Sequence, residues 1–311
     1  MKNRWTTVVP LAVLLAGAAL FWAGPAAAGE SGEGVLVLGR ISDDPQHHHG
    51  QLGPLLDYVV SRMADVGIRE GRILMARDVQ QMQGYLRRGR VDWVTETAAM
   101  AVKLSQRGDA RPLLLAERSG VALYRTVFFV RHDSPLTTLG DLRGHSLALQ
   151  RFASTSAYYV PAMALMDIGL EMEPLLSPRD RPDASHVGFL FAGSEANIAA
   201  WVRVGLVDAG AFSEIDWQRL GGAGLGEEPG LRIIHRTAPF PRGVELVRST
   251  LSAAVATRLR EVLLGAAADP EAGPALRQFF DTTGFRDIDG EAARFLQVLQ
   301  RGVARVREEL E

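Results

Sequence analysis

The sequence predicts an α/β protein of two lobes, joined by a hinge of two chain crossings and enclosing a ligand cleft between them. Three observations carry that expectation. Short apolar runs alternate with stretches of helical periodicity. The alternation breaks at Asp133-Ser134-Pro135 and then restarts, and after Pro239-Phe240-Pro241 the chain makes a further strand and closes in amphipathic helices. At 311 residues the chain is long enough for two cores, because domains ordinarily hold roughly 100–200 residues. A composition of 47% hydrophobic and 23% charged residues excludes a disordered or fibrous chain.

In chain order, the first 28 residues read as an export signal. Lys2 and Arg4 form a positive start, residues 8–22 are almost wholly apolar, and Ala26-Ala27-Ala28 supplies small residues for cleavage after Ala28. An uncleaved anchor is the alternative, and Pro10, Pro25 and the Ala-rich end argue against it. The expected divisions are 1–28 for the signal peptide, 29–130 for lobe 1, 131–240 for lobe 2, and 241–311 for a return to lobe 1 with the C-terminal helices.

Val35-Leu36-Val37-Leu38 is a buried strand, and Leu52, Leu55, Leu56, Val59, Met63 and Val66 then recur at helical spacing up to Gly67. Residues 72–76 make a second strand, Val79, Met82 and Leu86 a helix ended by Gly89, and residues 91–95 a third strand feeding a helix from about Thr97. Strands at 112–116 and 126–131 complete the first unit. Strands apolar along most of their length predict a parallel sheet covered on both faces. The second unit runs through a strand at 146–150, a helix near 156–168 and a strand at 187–191, with 177–183 and 221–230 as surface loops. Strands from Leu231 and at 244–247 and a helix at about 291–308 follow. No internal repeat is visible.

Charge and composition exclude several functions. Lys and Arg total 34 against 36 Asp and Glu, so the basic footprint of a nucleic-acid binder is missing. With no cysteine there is no disulfide, thiolate metal site, Cys nucleophile or lipid-modified Cys, which places the exported protein free in the periplasm. Phosphate-loop, His-Glu-x-x-His, Gly-x-Ser-x-Gly and Gly-x-Gly-x-x-Gly motifs are absent, and Gly222, Gly224 and Gly226 fall in a loop at the wrong spacing. His47-His48-His49 is expected in a solvated loop, since three adjacent imidazoles do not converge easily on one ion. No metal and no cofactor are expected.

Three polar helix starts each follow an apolar strand: Thr95-Glu96-Thr97, Ser154-Thr155-Ser156 and Ser194-Glu195-Ala196-Asn197. Each is either a simple cap or part of an anion cradle, because a helix start presents free N–H groups beside its hydroxyls. In facing lobes they converge on one cleft, where ligands of open α/β sheets bind.

Several segments in fixed order resemble the periplasmic solute-binding proteins of phosphate, phosphite and phosphonate ABC transporters, from about Gly39 to Val247. They are Gly89-Arg90-Val91-Asp92-Trp93; Asp133-Ser134 with Leu139-Gly140-Asp141-Leu142-Arg143-Gly144; Ser154-Thr155-Ser156-Ala157-Tyr158 with Pro161; Phe191-Ala192-Gly193-Ser194-Glu195; Val207-Asp208-Ala209-Gly210-Ala211; and Pro239-Phe240-Pro241. The resemblance implies a type II periplasmic binding protein that captures a small oxyanion, without chemistry, for a membrane permease and its ATPase. Two departures bear on the ligand: Ser194-Glu195 stands where many phosphonate binders have His and an acid, and Glu96-Thr97-Ala98-Ala99-Met100 stands where they have Gly-Pro-x-x-Tyr.

The ligand-binding set expected is therefore Ser154, Thr155 and Ser156 from one lobe and Glu96 and Thr97 from the other, with Arg40 supplying charge and Tyr158, Ser194 and Glu195 completing the shell. Arg125 and Arg242 are alternatives to Arg40, and Trp93, like Tyr158, lines either the cleft or the core. Glu96 accepting a hydrogen bond from a protonated oxyacid favours phosphite or hydrogen phosphate. A monomer is expected. The alternatives are a sensor component feeding a membrane histidine kinase, including one for arsenite, and a hydrolase pairing Glu96 with His132 or His235.

Overall fold

The computed structural model describes residues 34–220 and 230–311. The expected signal peptide and all but the last residue of the 221–230 loop lie outside the described residues. The chain first makes β1 (Val35–Ile41), α1 (Pro45–Val60), β2 (Glu70–Ala76), α2 (Val79–Arg87), β3 (Trp93–Glu96), α3 (Ala98–Ser105) and β4 (Ala110–Arg118). It then passes through β5 (Leu123–Tyr124) into β6 (Thr126–Arg131), β7 (Ser146–Leu149), α4 (Val160–Asp167), β8 (Glu171–Pro174), β9 (His186–Phe191), α5 (Glu195–Arg203), β10 (Ala209–Ser213), α6 (Glu214–Leu220) and β11 (Leu231–Arg236). Through β12 (Phe240–Pro241) it returns to β13 (Gly243–Arg248), α7 (Ala253–Gly265), α8 (Gly273–Gln278), β14 (Thr282–Arg286) and α9 (Gly290–Leu310).

Two six-stranded sheets result, in the orders β14-β4-β13-β3-β1-β2 and β11-β6-β10-β7-β9-β8. The crossings β5 and β12 pair antiparallel, with Phe240 opposite Tyr124 and their rings 4.6 Å apart, so the hinge is a two-stranded ribbon. Residues 126–131, expected as the last strand of the first lobe, instead pair with β10 and β11 in the second sheet, which moves the first crossing back to Leu123–Tyr124. The sheets are also mixed rather than parallel. β13 runs antiparallel to β3 and β4, and β6 antiparallel to β10 and β11. A strand arriving from the other lobe enters at the cleft edge, where its neighbours end, and must run against them.

The two sheets share an internal order that the sequence hides: β2-β1-β3-β13-β4 matches β9-β7-β10-β6-β11. The same polar tie recurs in both. Asp92, just before β3, accepts the Val37 backbone N–H of β1 at 3.0 Å, and Asp208, just before β10, accepts the Ser146 backbone N–H of β7 at 2.8 Å. Each carboxylate fixes the third strand against the first at the end remote from the cleft.

Asp44 caps α1 by accepting the His47 N–H at 3.1 Å, and Pro45 opens the first turn. His47 to His49 therefore lie on a helix and not in the expected loop. α1 buries Leu52, Leu55, Leu56 and Val59 in one core with Trp93 and Phe279. At the other end of the chain, α9 buries Leu296, Leu299, Val303 and Val306 and packs on both α3 and α4, so the last helix straddles the lobes. Its end is tied by a partly buried relay: Lys103 Nζ on α3 donates to the Tyr159 hydroxyl at 2.6 Å, and that hydroxyl donates to Glu311 Oε1 at 2.5 Å. Tyr159→Phe should lower stability by about 0.5–1.5 kcal/mol, the contribution of such a bond. An unchanged thermal midpoint would show that the relay is slack.

Candidate functional site

Carboxyl ends of the parallel strands define the cleft wall. On the first lobe Arg40 stands one residue before the end of β1, Thr95 and Glu96 end β3, Thr97 immediately precedes α3 and Arg118 ends β4. Thr95 organises this wall: Arg40 Nη1 donates to its carbonyl at 3.2 Å, and Arg118 Nη2 donates to its hydroxyl at 3.3 Å. The two guanidiniums also lie 4.4 and 4.6 Å from the ring centroid of Phe280. Phe280 (φ 57°) and Asp281 (φ 53°) both occupy the left-handed region, at a cost of roughly 1–2 kcal/mol per residue for side chains with a Cβ. Ser119 N–H holds the turn through the Asp281 carbonyl at 2.7 Å. This strained turn sets the ring under both cations.

Glu245 of β13 is fully buried behind this wall, with Thr95 Oγ1 donating to one oxygen at 2.8 Å and the Trp93 indole N–H to the other at 2.7 Å. Burial pushes its carboxyl up to about 7 against the pull of Arg118. Burial and the neighbouring Arg40 lower the Arg118 guanidinium to about 10. Burial likewise raises Glu96, although Arg40 and two backbone N–H groups, Ile41 at 2.7 Å and Thr97 at 3.2 Å, favour its charged form. Among the described residues, Arg40 Nε, Arg118 Nε and Thr97 Oγ1 are buried polar atoms without a hydrogen-bond partner. Three unsatisfied donors on one wall are what a recessed anion site requires.

The second lobe supplies the turn of residues Thr155–Tyr159, which runs into α4. Ser154 caps it by accepting the Ala157 N–H at 3.1 Å. Thr155 Oγ1 reaches across the cleft and accepts the Ala99 N–H of α3 at 3.0 Å, and the Ser156 carbonyl accepts from Thr126 Oγ1 at 2.7 Å. Arg151, just before this turn, ion-pairs with Asp43 of the first lobe. The expected cradle and the Glu96-Thr97 start thus meet directly, with a second lobe-to-lobe tie at Arg151.

Other expected residues serve elsewhere. Tyr158 does not line the cleft; it is fully buried among Phe152, Phe189 and Phe191. Trp93 is core. Ser194 caps α5 by accepting the Asn197 N–H at 3.2 Å, and Glu195, raised by burial and by Asp216, lies on the second lobe's wall. Arg125 donates to the Thr237 carbonyl at 2.8 Å, and Arg242 to the Arg118 carbonyl, so both brace the crossings. His132 follows the end of β6 remote from the hinge, and His235 packs on Phe128, so neither forms the acid–base pair with Glu96. Arg118, Glu245 and Phe280 were not anticipated. The available signal was a single charge inside an otherwise apolar strand, as in Val244-Glu245-Leu246-Val247.

Two mixed α/β sheets, a paired double crossing and a cleft walled by strand ends define a type II periplasmic binding protein. Residues 41–293 match the family described as the phosphonate periplasmic substrate-binding protein of an ABC transporter, and the chain belongs to that family. Its members are binding proteins, typically without enzymatic activity. The chain is 54% identical to XAC2383 from Xanthomonas citri bound to chloride ion, covering 89% of this chain and 100% of that one with a TM-score of 0.84. It is 53% identical to the same protein bound to ATP, covering 90% and 100% with a TM-score of 0.84. PhnD1 from Prochlorococcus marinus in complex with methylphosphonate shares the fold at 17% identity and a TM-score of 0.63, covering 88% of this chain and 99% of that one.

Proposed function

We propose that the protein captures a phosphorus oxyanion, or the phosphoryl group of a larger ligand, in the cleft between its lobes. The observation that carries this reading is the pair of guanidiniums from half-buried Arg40 and buried Arg118, each with a buried, unpartnered Nε, together with the unpartnered Thr97 hydroxyl of the same wall. In the open form the α3 start and the Thr155 turn each offer N–H and hydroxyl donors, and an anion bound between them replaces the Ala99 to Thr155 contact. Rotation about the β5–β12 ribbon then buries it. Glu96, already accepting two N–H groups, shapes this wall and leaves the direct ligand contacts to the cations and hydroxyls. Ser194 and Glu195 border the same space from the second lobe.

The homologue bound to chloride and to ATP supports an anion site and extends the ligand class to phosphate esters and anhydrides. Delivery to a permease follows from membership of a transporter family; the same closed form would also serve a membrane sensor kinase. On this reading residues 1–28 direct export, and the mature chain acts as a periplasmic monomer.

The test is calorimetric titration of refolded protein with phosphate, phosphite, methylphosphonate, ATP, arsenite and sulfate. One saturable 1:1 isotherm with a phosphorus anion, without product formed, is expected. Silence with every phosphorus anion would overturn the proposal, and turnover of an aryl phosphate would replace it with a hydrolase.

A further inference from the structure

The charges behind the cleft wall are coupled through one hydroxyl. Thr95 Oγ1 accepts from Arg118 Nη2 and donates to Glu245, so the cation that faces the cleft and the carboxylate that does not are two ends of one relay. From β4 Glu245 meets Arg118, and from β1 Arg40; from β3 it meets Trp93 and Thr95, with Glu96 the next carboxyl along that strand. Arg242, two residues after β12 begins, bonds to the Arg118 carbonyl. The core that holds Trp93 is otherwise apolar, with Phe279 and Leu263. When both carboxyls are ionised, Glu96 and Glu245 offset Arg40 and Arg118. An anion arriving at the free Nε edges draws the guanidinium field away from Glu245 and adds its own repulsion, and both effects increase the affinity of that carboxylate for a proton.

We propose that Glu245 is the positioning residue of the cleft and takes up a proton as the anion binds, so that the site selects an anion together with a proton. The inference rests on the anion-capture reading of the same cleft. Burial sets the free Glu245 carboxyl at about 7. Below that pH the proton is already present and affinity is level; above it the proton must be acquired, and affinity falls by about tenfold per pH unit.

The experiment is calorimetric titration of the full chain with methylphosphonate and with inorganic phosphate, at pH 6 and pH 8, in two buffers of different ionisation heat. Wild type is compared with Glu245→Gln, whose amide can accept from Trp93 and donate to Thr95. Proton exchange by the ligand itself is common to both proteins and cancels between them. At pH 8 the wild type should take up nearly one proton more per ligand than the variant, and should bind about tenfold more weakly. At pH 6 both differences should all but vanish. Equal proton counts and equal affinities at pH 8 overturn the inference while leaving anion capture intact; no heat with any anion at either pH overturns capture and the inference together. If circular dichroism shows that Glu245→Gln is unfolded, the wild type decides alone: proton uptake at pH 8 beyond that of the ligand sustains the inference, and none overturns it.

Discussion

Arg118→Met is expected to weaken anion binding by about 100-fold, the equivalent of one charge-assisted hydrogen bond of roughly 1.5–3 kcal/mol. Arg118 is 7% exposed, and its guanidinium stacks on Phe280 and holds an unpartnered Nε, so neither solvent nor a neighbouring side chain can replace it. Arg118→Lys should recover little, because an ammonium lacks the planar fork that reaches Thr95 and the ligand together. The fold should survive. Glu245 loses one of the two cations that face it, its carboxyl rises further above 7, and it becomes neutral at physiological pH instead of remaining a buried unpaired charge. Calorimetry with the ligand identified for the wild type checks the prediction, and an Arg118→Met affinity within threefold of wild type would remove this residue from the site.

Asp92→Ala should have the opposite signature, a large loss of stability with ligand affinity retained. Asp92 is 2% exposed; one oxygen accepts the Val37 N–H, and the other accepts Arg248 Nη2 at 2.8 Å and Nε at 3.2 Å. Truncation leaves Arg248 and a strand N–H without their partner, which costs about 3–5 kcal/mol for a buried pair. At about 2–4 °C per kcal/mol for a chain of this size, the thermal midpoint should fall by roughly 10 °C. The ties lie at the amino end of β3, the far end of the strand from Glu96, so protein that remains folded should bind normally. Asp92→Ala with an unchanged midpoint and lost binding would instead place the residue in the recognition machinery.

These two residues also mark how far the sequence can be read. Asp92 stands inside a family segment, Gly89 to Trp93, yet the segment closes a sheet and touches no ligand wall. A motif records that a position is specified, and the contacts decide for what. Arg118 and Glu245 stand in no motif. Their importance comes from strands β4 and β13 lying side by side, with Glu245 paired opposite Leu114, although Arg118 and Glu245 are 127 positions apart in the chain.

The helix starts at Thr97, Ser154 and Ser194 were legible because a hydroxyl before an apolar helix has a local cause. Whether each caps or recognises was not, since the same hydroxyl does either. Ser154 and Ser194 cap their own helices, whereas Thr155 caps α3 of the other lobe. Tyr158 follows the same logic: its place beside the cradle is local, and its burial among Phe152, Phe189 and Phe191 belongs to the packing of the second lobe.

By itself the sequence determined the α/β class, the two-lobed plan and the polar starts of the helices, because hydrophobic periodicity, turn residues and caps act over a few neighbouring residues. Only the tertiary structure decided that residues 126–131 join the second sheet, that α9 straddles both lobes, and that Arg40, Arg118, Glu245 and Phe280 gather at one wall. The physical reason is that strand partners and buried charges are fixed by contacts between distant segments, and a strand's own apolar pattern is equally satisfied by either sheet.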